Sequence, residues 1–204
     1  MAVENFSQFN EMHISVLQEL GNMGSGGAAT ALATMLGSAT DISVPVVRAV
    51  SLTEARNLIN TLSGVTVALL ITLKGDFKGY VLHLIPYKFA ERVIETYFPG
   101  TVINSAADID EMALSVVKEM VNITTGAYVN GISQLSGIFI DISTPEKYAD
   151  MASEIFKNYS AGENSLYFVN NTIVIKDKDQ KSNMLYFPEL ESAKKLMTGL
   201  GIEC

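Results

Sequence analysis

The sequence predicts an α+β protein in which a unit of helices and strands occurs twice about a pseudo-two-fold axis. A largely antiparallel sheet carries two exposed motif helices. Three observations lead there. Apolar residues recur at helical spacing in some segments and run on or alternate in others. The strand-like segments come in pairs joined by short polar turns, which makes hairpins and therefore antiparallel pairing. The chain also matches itself at a shift of 100 residues. Glu11-Met12 falls on Glu111-Met112, Ser15-Val16 on Ser115-Val116, Glu19 on Glu119 and Asn22 on Asn122. Gly26, Gly37, Asp41-Ile42-Ser43 and Pro45 meet Gly126, Gly137, Asp141-Ile142-Ser143 and Pro145. That is 12 identities in the 35 positions from 11 to 45 without a gap, where ordinary residue usage gives about two or three.

The elements follow in order. Residues 11–36 and 108–135 read as long helices. Asp41–Val50 reads as a strand with Ile138–Ser143 as its counterpart. Ser51–Leu62 and Pro145–Lys157 read as helices. Val65–Lys74 and Tyr80–Pro86 form a hairpin around the Gly75-Asp76 turn. Leu166–Lys176 and Met184–Phe187 are the second hairpin, joined by the polar stretch Asp177–Asn183. Tyr87–Tyr97 and Glu189–Met197 close the halves as helices. Two copies are too few for a solenoid. The chain is therefore expected to be a single domain, 1–204, of two repeats over about 11–100 and 111–201.

Composition narrows the function. With 14 Lys+Arg against 22 Asp+Glu the net charge is −8. That argues against nucleic acid and against an anionic membrane surface, both of which require a basic face. No apolar stretch approaches the roughly 20 residues that span a bilayer, and the N-terminus shows no signal-peptide pattern. The single cysteine, Cys204, excludes an internal disulfide and is expected to be a frayed terminal thiol. His13 and His83 lie far apart with no ligand cluster, so no metal site is expected. A reducing, cytoplasmic location fits all of this.

The chemistry-bearing pattern lies on the first helix of each half. One face of 11–36 carries Ile14, Leu17, Leu20, Gly21, Gly24, Ala28, Ala31 and Met35, the core stripe of a helix with 3.6 residues per turn. Ser15, Glu19, Asn22 and Gly26 form a narrow stripe nearly opposite. The second helix repeats it with Ser115, Glu119, Asn122 and Gly126, against a core face of Leu114, Val117, Met120, Val121, Tyr128, Ile132 and Leu135. A polar stripe is what any solvated helix shows. Here, however, the same three polar types recur at the same offsets, while Gln18 has become Lys118. Asparagine is a poor helix-interior residue, and a glycine in the stripe costs about 1 kcal/mol. Such a glycine makes sense where another molecule's backbone must approach closely. Pro45 and Pro145 each stand 23 positions after the asparagine; on positional grounds they read as structural, at a sheet edge or bulge.

The pattern Ser-x3-Glu-x2-Asn-x22-Pro, present twice, resembles the signature of the CheC/CheX/FliY family of bacterial and archaeal chemotaxis phosphatases. The flank Glu19-Leu20-Gly21-Asn22-Met23-Gly24-Ser25 and the length match the CheC branch. Val121 in place of Gly21 departs from that flank on the buried side. The resemblance implies a hydrolase that dephosphorylates the aspartyl phosphate of the response regulator CheY. It implies CheD, a receptor glutamine deamidase, as a further partner. Catalysis falls to Glu19, Asn22, Glu119 and Asn122, with Ser15, Ser115, Gly26, Gly126, Pro45 and Pro145 in support. No cofactor is expected in this chain; a divalent metal belongs to the regulator. An asparagine suits the task, because its amide can position a water without repelling a phosphoryl group. A non-catalytic adaptor for phosphorylated CheY or CheD is the alternative, as is a flagellar-switch component. The chain leaves no room for the extra switch domain of the FliY branch.

Overall fold

Asn10 and Gly37 bracket the first long helix, α1 (Glu11–Leu36). The Asn10 carboxamide accepts the backbone N–H of His13 at 3.0 Å, and His13 Nδ1 accepts the N–H of Asn10 at 3.1 Å. The chain leaves the helix at Gly37 in the left-handed conformation, φ 59°, where a Cβ would be strained. The same ends recur 100 residues on: Asp110 caps α3 (Glu111–Ser136) through the N–H of Ala113, and Gly137 ends it at φ 69°. Both signals are local; α3 starts three residues later than the expected 108, because Asp110 caps it and Ala106–Asp108 form a separate 3-10 turn.

A computed structural model describes residues 4–51, 53–55, 57, 61, 66–147, 166–177 and 179–204. After α1 come β1 (Thr40–Ile42), β2 (Val46–Val50), β3 (Thr66–Gly75) and β4 (Gly79–Pro86), then α2 (Tyr87–Glu95). After α3 come β5 (Ile140–Ile142), β6 (Glu146–Lys147), β7 (Leu166–Ile175), β8 (Gln180–Pro188) and α4 (Leu190–Gly199). Every strand pair among the described residues is antiparallel, so the α+β class holds.

The order across the sheet is β1-β7-β8-β4-β3-β5, with β2 also on β7 and β6 also on β3. The edge strands are therefore exchanged. β1 and β2, from the first half, pair with the hairpin of the second; β5 and β6 pair with the hairpin of the first.

Several boundaries differ from expectation. The strand expected over Asp41–Val50 is broken at residues 43–45, where Pro45 has no N–H for the ladder. The polar turn expected over Asp177–Asn183 is shorter, because β8 starts at Gln180 and Asp179 takes the tight positive φ of 47°. In the segment 51–62, the described residues Thr53–Ala55, Asn57 and Thr61 are helical. The helix expected over Pro145–Lys157 begins instead with strand at Glu146–Lys147, and 148–157 lies outside the described residues. Cys204 is not frayed. It is half-buried with Sγ 3.7 Å from His13 Nε2, and burial pushes its thiol pKa up.

The core lies between the helices and one sheet face. Leu69, His83, Met184 and Asn171 form one row across β3, β4, β8 and β7, all fully buried. Ile71, Val81 and Tyr186 form the next. Phe89 and Ile94 of α2 and Leu196 and Met197 of α4 join the same cluster. The expected core faces hold for Leu17, Leu20, Gly21, Gly24 and Ala28, and for Val117, Met120, Val121, Tyr128 and Ile132. Leu135 is instead 42% exposed, while the polar Ser25 and Thr125 are buried.

The two long helices touch where side chains are smallest. A Cβ on Gly131 would lie 3.0 Å from Gly24 Cα, and one on Gly24 would lie 2.7 Å from the Tyr128 carbonyl oxygen. Tyr128 fills the space left by Gly21 and Gly24; the positions 100 away hold Ala28, Val121 and Thr124, so volume has moved from one helix to the other. None of the described helices is long and apolar enough to cross a membrane.

Candidate functional site

Two serines shape the ground beside each motif helix. Ser43 donates its N–H to the Thr172 carbonyl at 2.8 Å, and its hydroxyl oxygen accepts the N–H of Thr172 at 2.9 Å. Ser143 does the same with Thr72, at 2.9 Å in both bonds. The side chain thus satisfies a ladder amide as the backbone turns away, and a proline follows two residues later. Both prolines are buried. Pro45 presses on α1: a Cβ on Gly21 would sit 2.8 Å from its Cγ. The prolines accordingly have the structural position expected of them.

On the outer side of α1, Ser15, Glu19, Asn22 and Gly26 are all exposed. A Cβ on Gly26 would meet nothing within 4 Å, and Gly26 opens on a groove of about 680 Å³ that runs to Thr40 and Asp41. On α3, Ser115 and Glu119 are exposed, whereas Asn122 and Gly126 are half-buried. Ser115 is turned to its own helix, its hydroxyl donating to the Met112 carbonyl at 2.7 Å. A Cβ on Gly126 would lie 3.7 Å from Ile142 Cδ1.

In the second half these residues share one concavity. Ser115, Glu119, Asn122 and Pro145 line a groove of about 380 Å³ together with Lys118, Thr144 and Glu146. Lys118 and Glu146 were not singled out by the sequence, because each differs from its counterpart, Gln18 or Val46. The first half instead has exposed Val44 and Val46 in place of Thr144 and Glu146. Met12 and Met112, one turn before the serines, are 63% and 62% exposed. Their recurrence within the matched block was the available signal.

The arrangement offers acceptors, amide donors and one lysine, on a surface open to a macromolecule. Glutamate and asparagine at i and i+3 lie on one helix face in each half. Among the described residues no group of three His, Cys, Asp or Glu is placed to hold a metal ion.

A model described as the CheC-like family matches residues 12–48 and 112–148. The Bacillus subtilis protein named CheY-P phosphatase CheC is 26% identical over 205 residues, covering 96% of this chain and 97% of that one. Among solved structures, Thermotoga maritima FliY superposes with a TM-score of 0.75 at 23% identity, over 95% of this chain and 98% of that chain. The FliM middle domain from H. pylori does so with 0.67 at 11% identity, over 94% and 99%. The last two establish a shared fold. Both matched segments span a Glu/Asn pair and its proline, at a spacing of 100 residues, so the chain is similar to the CheC-like family at the motif helix of each half.

Proposed function

We propose that the protein is a phosphatase for the aspartyl phosphate of CheY, with one acid/amide pair in each half: Glu19 with Asn22, and Glu119 with Asn122. The observation that carries this reading is the pair itself, presented twice on an open helix face and in the second half within a groove that also holds Lys118. The B. subtilis relative bears the name of that activity. The substrate is then a protein that brings its own divalent metal, and this chain supplies no cofactor. Each asparagine orients a water in line with the phosphorus, accepting its hydrogen bond through the carboxamide oxygen. Phosphoryl transfer is largely positioning and charge stabilisation, so no nucleophile is needed from the phosphatase. Each glutamate pairs with a lysine of the regulator and sets the docking register. The protein acts in the cytoplasm as one domain of two repeats, and CheD is its second partner.

The fold shared with the FliM middle domain favours one other reading, a module that binds without turnover. A single assay separates them. CheY charged with acetyl phosphate is mixed with a catalytic amount of this protein, with and without CheD, and phosphate release is followed. Many turnovers per protein support the phosphatase. Asn22→Ala and Asn122→Ala should each retain part of the rate, and the double variant almost none. Stoichiometric protection of the phosphate, or a double variant as fast as the parent, would overturn the proposal.

A further inference from the structure

Three residues beyond each asparagine, on the buried side of the same helix, stands a hydroxyl. Ser25 and Thr125 are 2% and 0% exposed. The Ser25 hydroxyl lies 2.7 Å from the Gly21 carbonyl oxygen and 3.1 Å from Asn171 Oδ1. The Thr125 hydroxyl lies 2.9 Å from His83 Nε2. Asn171 and His83 are themselves fully buried. They belong to the same transverse row of the sheet, on β7 and β4, with Met184 of β8 between them. Each motif helix is thus pegged to one row of the sheet by one polar contact, at positions 100 apart.

These pegs are an expensive choice for a core. Valine in place of Thr125 would fill nearly the same volume, and an apolar partner in place of histidine would need no hydrogen bond. What recurs between the halves is the hydroxyl on the helix. Its partner is an amide in one half and an imidazole in the other, on different strands. Thr124, beside it, gives its hydroxyl to the Met120 carbonyl of its own helix at 2.7 Å, whereas Ser25 shares its hydroxyl between the Gly21 carbonyl of its own helix and Asn171 of the sheet. Among the described residues His83 Nδ1 has no hydrogen-bond partner, so His83 keeps its helix bond or loses its only strong one; Asn171 also meets the Tyr128 hydroxyl of α3.

We infer that Ser25 and Thr125 are positioning residues, which fix the roll and height of each motif helix so that Asn22 and Asn122 hold their place above the surface. This rests on the phosphatase reading. Three residues along a helix is about 4.5 Å of rise, so peg and amide share one turn. A roll of about 10° moves an outward side chain by about 1 Å, and a misplacement of that size can cost up to about 100-fold in rate.

The test uses single-site proteins. In the Asn22→Ala background only the second site works; in the Asn122→Ala background, only the first. Thr125→Val should lower the second site's kcat about 5- to 20-fold while its KM for phosphorylated CheY changes less than about twofold. The same change in the Asn122→Ala background should leave turnover within about twofold. Ser25→Ala should give the reverse pattern, and Thr125→Ser, which keeps the hydroxyl, should restore the second site. Circular dichroism checks the fold, and Thr125→Ala replaces Thr125→Val if the latter does not fold. Side-chain ¹⁵N relaxation is measured at the asparagine that each single-site protein keeps, with loosening expected at Asn122 in the Asn22→Ala background and none at Asn22 in the Asn122→Ala background when Thr125 loses its hydroxyl. Equal losses in both backgrounds, or unchanged relaxation at Asn122, would overturn the inference. If turnover depends on neither asparagine, the phosphatase reading fails by itself, and the relaxation data still decide the pegs.

Discussion

At Asn22 and Asn122, aspartate differs from asparagine by one group and keeps the shape. If the amide positions water beside a phosphoryl group, Asn22→Asp with Asn122→Asp loses an N–H donor and adds repulsion. Turnover should fall by about 100-fold or more, as for loss of an oxyanion-type donor. Affinity for unphosphorylated CheY should hardly change, since no phosphate is there to repel. Turnover and that affinity, measured on one folded variant, check both. His83 makes a different residue-scale case. Burial pushes its pKa down to about 3 from 6.5, so the folded state keeps it neutral while the unfolded chain takes up a proton below about pH 6.5. Stability from this group is present above that pH and is lost as the pH falls towards 3. The loss approaches about 1.4 kcal/mol per pH unit. Urea unfolding at pH 7, 6 and 5 should show a steeper decline for the parent than for His83→Gln, whose amide can still meet Thr125.

The glycines of α1 separate packing from docking at the scale of the element. Gly24 admits the Tyr128 carbonyl oxygen at 2.7 Å from where a Cβ would lie. Gly24→Ala must push the two long helices apart and should cost about 1–3 kcal/mol. Gly26, two residues on, has open space there. Gly26→Ala should stabilise the helix by up to about 1 kcal/mol in thermal unfolding. If a partner's backbone comes close at that point, the same variant should raise KM at the first site. A more stable variant with unchanged KM would mean that Gly26 serves no contact. The spacing of Gly21, Gly24 and Asn22 shows which face each occupies, but not that Tyr128 is what the buried glycines receive.

The exchange of edge strands sets the behaviour of the whole molecule. Among the described residues β2 of the first half pairs with β7 alone, more than 115 residues away in sequence. Either half alone would leave its hairpin without an edge strand and its own edge strand without a hairpin. Residues 1–104 and 105–204 expressed separately should fail to show cooperative thermal unfolding, and mixing them should restore it together with turnover. A cooperatively folded single half would contradict the exchanged pairing. The exchange also means that Pro45, which presses on the first motif helix, follows a serine held by Thr172 of the second half. Each site therefore stands on strands from both halves.

The sequence by itself determined the class, the two long helices, the stripes they carry, and the spacing of the acid and amide positions. All of these depend on local chemistry or on a period of 3.6, which a short window contains. It could not reveal that Asp41–Val50 breaks at Pro45, because the break is made good by Ser43 bonding Thr172 across the sheet. Nor could it show that Glu146 and Lys118 join the second groove, since they have no matching partner in the first half. Ser25 and Thr125 looked like ordinary small polar residues beside a core face. Only the tertiary structure, by laying Asn171 and His83 in one buried row beneath them, decided that their hydroxyls face inward. Hydrogen bonds between residues 42 and 146 positions apart leave no trace in local periodicity, and it is these that fix where the Glu/Asn pairs stand.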